Sequence, residues 1–160
     1  MDGNGSIDLT TTDITAVNAD QSRTETVSAF NADGTLRNRT LTTTSADGAN
    51  KTMAYDDDGD GVVDQTRILV IAAAADGSSV TTQEDRNNDG SLIGASQATI
   101  SSDGLSIVTL VDSFGATDEN DDPVYDLQYS DVTVVNADQS RTQTLSSYIY
   151  ADARQRYSWA

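Results

Sequence analysis

Five residues near the middle of this 160-residue chain have the types and the spacing to hold a metal ion. Asp56, Asp58, Asp60, Gly61 and Asp64 fit the pattern D-x-D-x-D-G-x-x-D. Calcium takes roughly six to eight oxygens in a flexible shell, and a tightly turning loop offers alternate residues to one centre. On that pattern Asp56, Asp58 and Asp60 supply side chains, Val62 supplies its backbone carbonyl, and Asp64 joins directly or through water. Gly61 permits the sharp turn. Magnesium fits less well, because it prefers few protein ligands and retained water. Without a cation, three carboxylates in so short a loop repel one another with nothing to offset them.

The pattern recurs. Asp118, Asn120, Asp122, Val124 and Asp126 repeat the ligand positions 62 residues on, with Pro123 in place of the glycine. Proline holds φ near about −65°, so this turn differs from the first if Gly61 is left-handed. Asp2, Asn4, Ser6 and Asp8 match 56 residues upstream, with the first position missing. A partial match at Asp85, Asn87, Asp89 and Gly90 ends on Ile93, an apolar residue where a ligand is needed.

These loops are set in a longer repeat. Asn31 to Leu36 (NADGTL) returns at Asn87 to Leu92 (NNDGSL), and Ser45 to Gly48 returns at Ser101 to Gly104, both 56 residues on. The stretch 13–30 returns at 131–148, 118 residues on, so the second copy carries six extra residues. They are expected near 112–117. The resulting division is a truncated end of a preceding repeat at 1–12, repeat 1 at 13–68, repeat 2 at 69–130 and a partial repeat 3 at 131–160. Because the first loop is entered midway, the phase implies a piece of a longer array, with Met1 an added start.

The elements that must carry the loops are β-strands. Turn signals stand at 18–22, 31–35, 45–49, 74–78, 87–91, 101–105 and 136–140, five of them containing Asp-Gly and two containing Asp-Gln. Asp-Gly between alternating segments predicts hairpins with type I′ turns, and the two glutamine versions predict another turn type. Between turns lie Thr-, Val-, Ile- and Leu-rich segments, as strands prefer. Segments 22–30 and 35–45 alternate. Segments 67–75 and 105–111 are apolar on both faces, which predicts strands covered on both sides and a core around 67–111. Four strands per unit give about eleven in all. The expected fold is all-β, an antiparallel meander of tandem four-stranded repeats, either an open twisted sheet or stacked blades. A β-sandwich is the alternative.

Composition narrows the function. Nine Lys and Arg face 26 Asp and Glu, a formal net charge of −17. That opposes binding to nucleic acid or to an anionic membrane surface. With no Cys and no His, the usual zinc site, the disulfide framework and the commonest general base are all absent. No run reaches membrane-spanning length, the longest being Ile68 to Ala75, and no basic-then-apolar leader opens the chain. An enzyme is not expected, since no nucleophile elbow is present and the acids are spaced for a metal.

The D-x-D-x-D-G-x-x-D loop resembles those of integrin-type FG-GAP propeller blades and, locally, dockerin and EF-hand loops. The EF-hand's closing glutamate is missing, and Arg67 stands in its place. The ADG turns, T-x-T strands and DGDG loop together resemble tandem repeats of large secreted bacterial proteins, including calcium-binding RTX-type adhesins. The glycine-rich RTX nonapeptide is absent, so a parallel β-roll is not implied. The resemblance implies an extracellular or cell-surface location, calcium, neighbouring repeats as partners, and a calcium-stabilised extender role in an adhesin-like protein. A host or matrix ligand would follow from adhesion. The competing reading is a β-module that binds a glycan or protein ligand through Tyr148, Tyr150, Tyr157 and Trp159. Ice binding through the T-x-T strands is a third.

Overall fold

The structure is a computed structural model that describes residues 8–150. These form ten strands and no helix: β1 (Leu9–Val17), β2 (Arg23–Asn31), β3 (Leu36–Thr44), β4 (Asn50–Asp56), β5 (Gln65–Ala73), β6 (Ser79–Asn87), β7 (Leu92–Ile100), β8 (Ser106–Asp112), β9 (Leu127–Val135) and β10 (Arg141–Ile149). They lie in one open antiparallel sheet whose strand order follows the chain. This is the expected open meander, and the strands belong to one sheet rather than to the two layers of a sandwich. The chain divides into two compact units, Met1–Ile68 with Arg86–Gly90, and Leu69–Asp85 with Ser91–Ala160.

The strand boundaries reproduce the sequence period. β1, β5 and β9 are each nine residues long and start at residues 9, 65 and 127, steps of 56 and 62. β2, β6 and β10 start at 23, 79 and 141 with the same steps. β3 and β7 differ by 56, as do β4 and β8. All six extra residues therefore fall between the end of β8 at Asp112 and the start of β9 at Leu127.

The turns share one construction. Gly34, Gly48, Gly77, Gly90 and Gly104 each donate an N–H to the carbonyl three residues back, at 2.9–3.0 Å, and all have positive φ. Gln21 and Gln139 do the same at φ 69° and 66°. The central residues of these turns, Ala32 and Asp33 for instance, do not have positive φ. The turns are thus type I followed by a left-handed residue, and not the type I′ form expected from Asp-Gly. Asn18, Asn31, Ala74 and Asn136 donate to the carbonyl four residues on, the bulged hairpin form, while Ser45 and Ser101 donate one residue further, to Asn50 and Ser106. The glutamine versions have the same backbone as the glycine ones. The aspartate explains the choice: Asp33 Oδ1 accepts from Thr35 N–H (3.0 Å) and Thr35 Oγ1 (2.6 Å), an Asx-type brace that suits a type I turn. Asp20, Asp76 and Asp138 accept from the N–H and hydroxyl of the Ser two residues on in the same way. Asp47 and Asp103 accept the hydroxyl of the Ser two residues before them, Ser45 and Ser101, and the N–H of Ala49 and Leu105.

Little of the sheet is buried. The buried apolar residues are Leu92, Ala95 and Ala116, and the buried polar ones include Ser28, Thr42, Asp56, Asp112 and Asp126. β5 and β8 were expected to be covered on both sides, but they are half-buried with exposed positions such as Ile71 and Ile107. No second layer lies over them among the described residues, so their apolar side chains are shielded only by neighbours within the sheet. β1 is exposed along its whole length, and β10 at every position but one.

Candidate metal centre

The first acidic loop leaves β4 at its last residue. Asp56 is paired with Arg39 of β3, and the Arg39 Nη2 lies 3.5 Å from Asp56 Oδ2. Asp56 is only 2% exposed, and its carboxylate folds the loop around itself. Oδ1 accepts the N–H of Gly59 at 2.8 Å, and Oδ2 accepts that of Gly61 at 3.2 Å. The loop closes at Asp64, whose N–H bonds to Tyr55 O (2.7 Å) and whose Oδ2 accepts the N–H of Asp57 (2.7 Å). Gly59 and Gly61 are both left-handed, at φ 78° and 90°. A Cβ on Gly59 would collide with the carbonyl of Leu36, so glycine is required there by space as well as by dihedral angle.

This construction brings Asp56, Asp58 and Asp64 together. One carboxylate oxygen from each lies within 4.8 Å of the others, a set that can hold a metal ion. They grade from buried Asp56 through half-buried Asp64 to exposed Asp58, so the centre has a closed floor and an open side. Like charges about 4 Å apart repel by about 1 kcal/mol in bulk water and about 4 kcal/mol near a protein surface. Asp60, expected as a ligand, is not in the group; its Oδ1 accepts the N–H of Val62 at 2.7 Å. Val62 is largely exposed, at 55%.

The second loop is built on different residues from those its motif suggests. Asp118 lies exposed in an inserted turn, where Oδ1 accepts the N–H groups of Asn120 (2.8 Å) and Asp122 (3.1 Å). These bonds, Asn120 first, hold its carboxyl below the usual aspartate range. The turn is closed by Asp118 N–H to Asp122 O (2.9 Å) and by a bridge between Thr117 and Pro123, and Val124 N–H bonds to Ala116 O (2.8 Å). Pro123 thus sits in an extended bridge and not at a left-handed turn position, which Asp121 takes at φ 65°. Asp118, Asn120 and Asp122 are exposed while Asp126 is 1% exposed, and Asp118, Asp122 and Asp126 do not form a convergent group.

Asp112 and Asp126 occupy the places of Asp56 and Asp64. Asp126 N–H bonds to Val111 O (2.9 Å) as Asp64 does to Tyr55 O. The Asp126 carboxylate accepts the N–H of Ser113 (2.7 Å) as that of Asp64 accepts Asp57. Gly115 is left-handed and packed against the carbonyl of Leu92 as Gly59 is against Leu36. The first-copy register therefore runs on through Gly115, and the six extra residues lie between Gly115 and Asp126, somewhat later than 112–117. Asp112 was missed as a site residue because Ser113 and Phe114 follow it, not further acids. The signal that finds it is the 56-residue step from Leu36, Tyr55, Asp56 and Gly59 to Leu92, Val111, Asp112 and Gly115.

Of the upstream set, Asp2, Asn4 and Ser6 lie outside the described residues; Asp8 is exposed just before β1. The partial match at Asn87 to Gly90 forms one of the ordinary turns. No family model, curated protein or solved structure matches this chain.

Proposed function

We propose that the loop at 56–64 binds calcium and that the chain is a calcium-stabilised structural repeat of a large extracellular bacterial protein, adhesin-like in its role. The observation that carries this reading is the convergence of Asp56, Asp58 and Asp64 at a strand junction, with ligand oxygens within 4.8 Å. An all-oxygen acidic set with no His or Cys in the chain suits a hard cation. Extracellular modules bind calcium at about 10⁻⁴ to 10⁻³ M, and an ion held only by the folded state adds its binding free energy to stability. The exposed edge strands support the repeat role. Ile14 and Val17 on β1, and Leu145 and Ile149 on β10, are 64–73% exposed, on strands where adjoining repeats would pair.

The test is the melting temperature of the chain in chelator and in millimolar calcium. Calcium is expected to raise it by several degrees, and Asp58→Asn to remove the part of that rise due to the first loop. An unchanged melting temperature in wild type overturns the reading. A second reading, a module for a glycan or protein ligand, is favoured by one feature only. A shallow hollow beside exposed Tyr129 is lined by Ile107, Thr109 and Leu145. Glycan or protein binding that is lost on Tyr129→Ala would support it.

A further inference from the structure

Asp112 stands where Asp56 stands, but the group facing it differs. The residue paired with Asp56 is Arg39, and the residue paired with Asp112 is Ala95, itself 7% exposed. The buried carboxylate is kept and its cation is lost. Asp112 Oδ1 accepts the N–H of Phe114 at 3.0 Å, which turns the carboxylate into the 113–126 loop. Oδ2 is buried, in a side chain 2% exposed, and accepts no hydrogen bond from any described group. A buried carboxylate oxygen with neither donor nor cation is costly to keep, and proteins meet that cost with a hydrogen bond, a partner charge or a metal.

A second carboxylate is close at hand. Asp126, 1% exposed, accepts the N–H (2.7 Å) and Oγ–H (2.8 Å) of Ser113. The two acids are therefore anchored to adjacent residues, Ser113 and Phe114.

We propose that Asp112 and Asp126 are ligands of a second divalent cation held inside the 113–126 loop, with Asp112 in the role that Asp56 has in the first. Loop carbonyls and water complete the shell. No arginine faces Asp112 in this copy, so the ion supplies the positive charge that Arg39 lends to Asp56. The proposal takes calcium as the ion from the reading of the first loop but uses none of that loop's ligands.

Calcium calorimetry on the whole chain tests it, with four variants: Asp112→Asn, Ala95→Arg, Asp58→Asn and the Asp58→Asn/Asp112→Asn double. Ala95→Arg restores the arrangement of Arg39 and needs no change at the acid. Asp112→Asn is expected to bind one calcium equivalent fewer than wild type. Ala95→Arg is expected to keep that equivalent, as the first loop does beside Arg39, and to gain less in melting temperature from calcium. The double variant is expected to bind two fewer. In chelator, Asp112→Asn is expected to melt no lower than wild type, because the uncompensated charge is gone. Wild-type stoichiometry in Asp112→Asn overturns the proposal. So does an Asp112→Asn melting temperature lowered equally in chelator and in calcium, which marks a purely structural hydrogen bond. Loss of an equivalent in Asp58→Asn alone overturns this site and leaves the first standing. Absence of calcium binding by wild type overturns both.

Discussion

Gly59 and Leu36 meet so closely that any Cβ on Gly59 would strike the Leu36 carbonyl. This contact docks the acidic loop onto the start of β3, and Gly115 repeats it against Leu92. Gly59→Ala adds a clash with backbone to the strain of a left-handed alanine, and should cost at least about 2 kcal/mol. Gly34→Ala, equally left-handed but with nothing within 4 Å, should cost only about 1 kcal/mol. Denaturant midpoints of the two variants check the ordering.

Gln21 and Gln139 hold the left-handed position that glycine fills in the other turns. Gln21→Gly should stabilise by about 0.5–1 kcal/mol by removing that strain. The same change at Gln139 should act alike, and thermal melts of the single and double variants would read both. A loss of stability in either would show that the glutamine side chain has a role beyond the turn.

Arg39 is the only cation placed against buried Asp56 in the described ion pairs. Removing it as Arg39→Met leaves that carboxylate without its partner. Breaking a fully buried pair costs about 3–5 kcal/mol; this arginine is partly exposed and 3.5 Å away, so about 1–2 kcal/mol is expected in chelator. Calcium should recover part of the loss, since a bound ion supplies the missing positive charge. Melting of Arg39→Met with and without calcium measures the recovery.

Acid should loosen the hairpins together. Hydrogen bonds from Ser and Thr hydroxyls, then from backbone N–H groups, hold Asp20, Asp33, Asp76 and Asp138 below the ordinary aspartate value of 3.8. Asp47 and Asp103 are lowered by the same causes through Ser45 and Ser101. Because the folded values lie below the unfolded one, the unfolded chain binds more protons in the window between them. The contribution is fully present above about pH 4 and is lost as pH falls through the depressed values. Stability followed by circular dichroism from neutral pH downward should be flat until about pH 4 and then fall.

The strands and their period were legible because each unit repeats its Thr- and Val-rich segments and its Asp-turns at constant distance. The first loop was legible because its acids are contiguous. The second was not, since Asp118, Asn120 and Asp122 match the motif by type and spacing while the backbone uses Asp112, which lacks acidic neighbours. Spacing along the chain cannot tell an exposed turn acid from a buried anchor; the register with Arg39 and Ala95 does. The covering of Ile71 and Ile107 was misjudged for a related reason. An apolar run reports what a strand prefers to touch, and not whether another layer is there to touch it.

The strand order has a mechanical consequence. Every strand is bonded only to those before and after it, so lengthening the sheet by a unit leaves existing ladders unchanged. It also means that tension applied along the chain peels hairpins one at a time, each ladder opening from its end, and does not shear many bonds at once. The places that resist peeling are then the two long connections, β4 to β5 and β8 to β9, where Asp64 and Asp126 tie the incoming strand back to the outgoing one. A cation at each would turn a zipper into a series of locked segments.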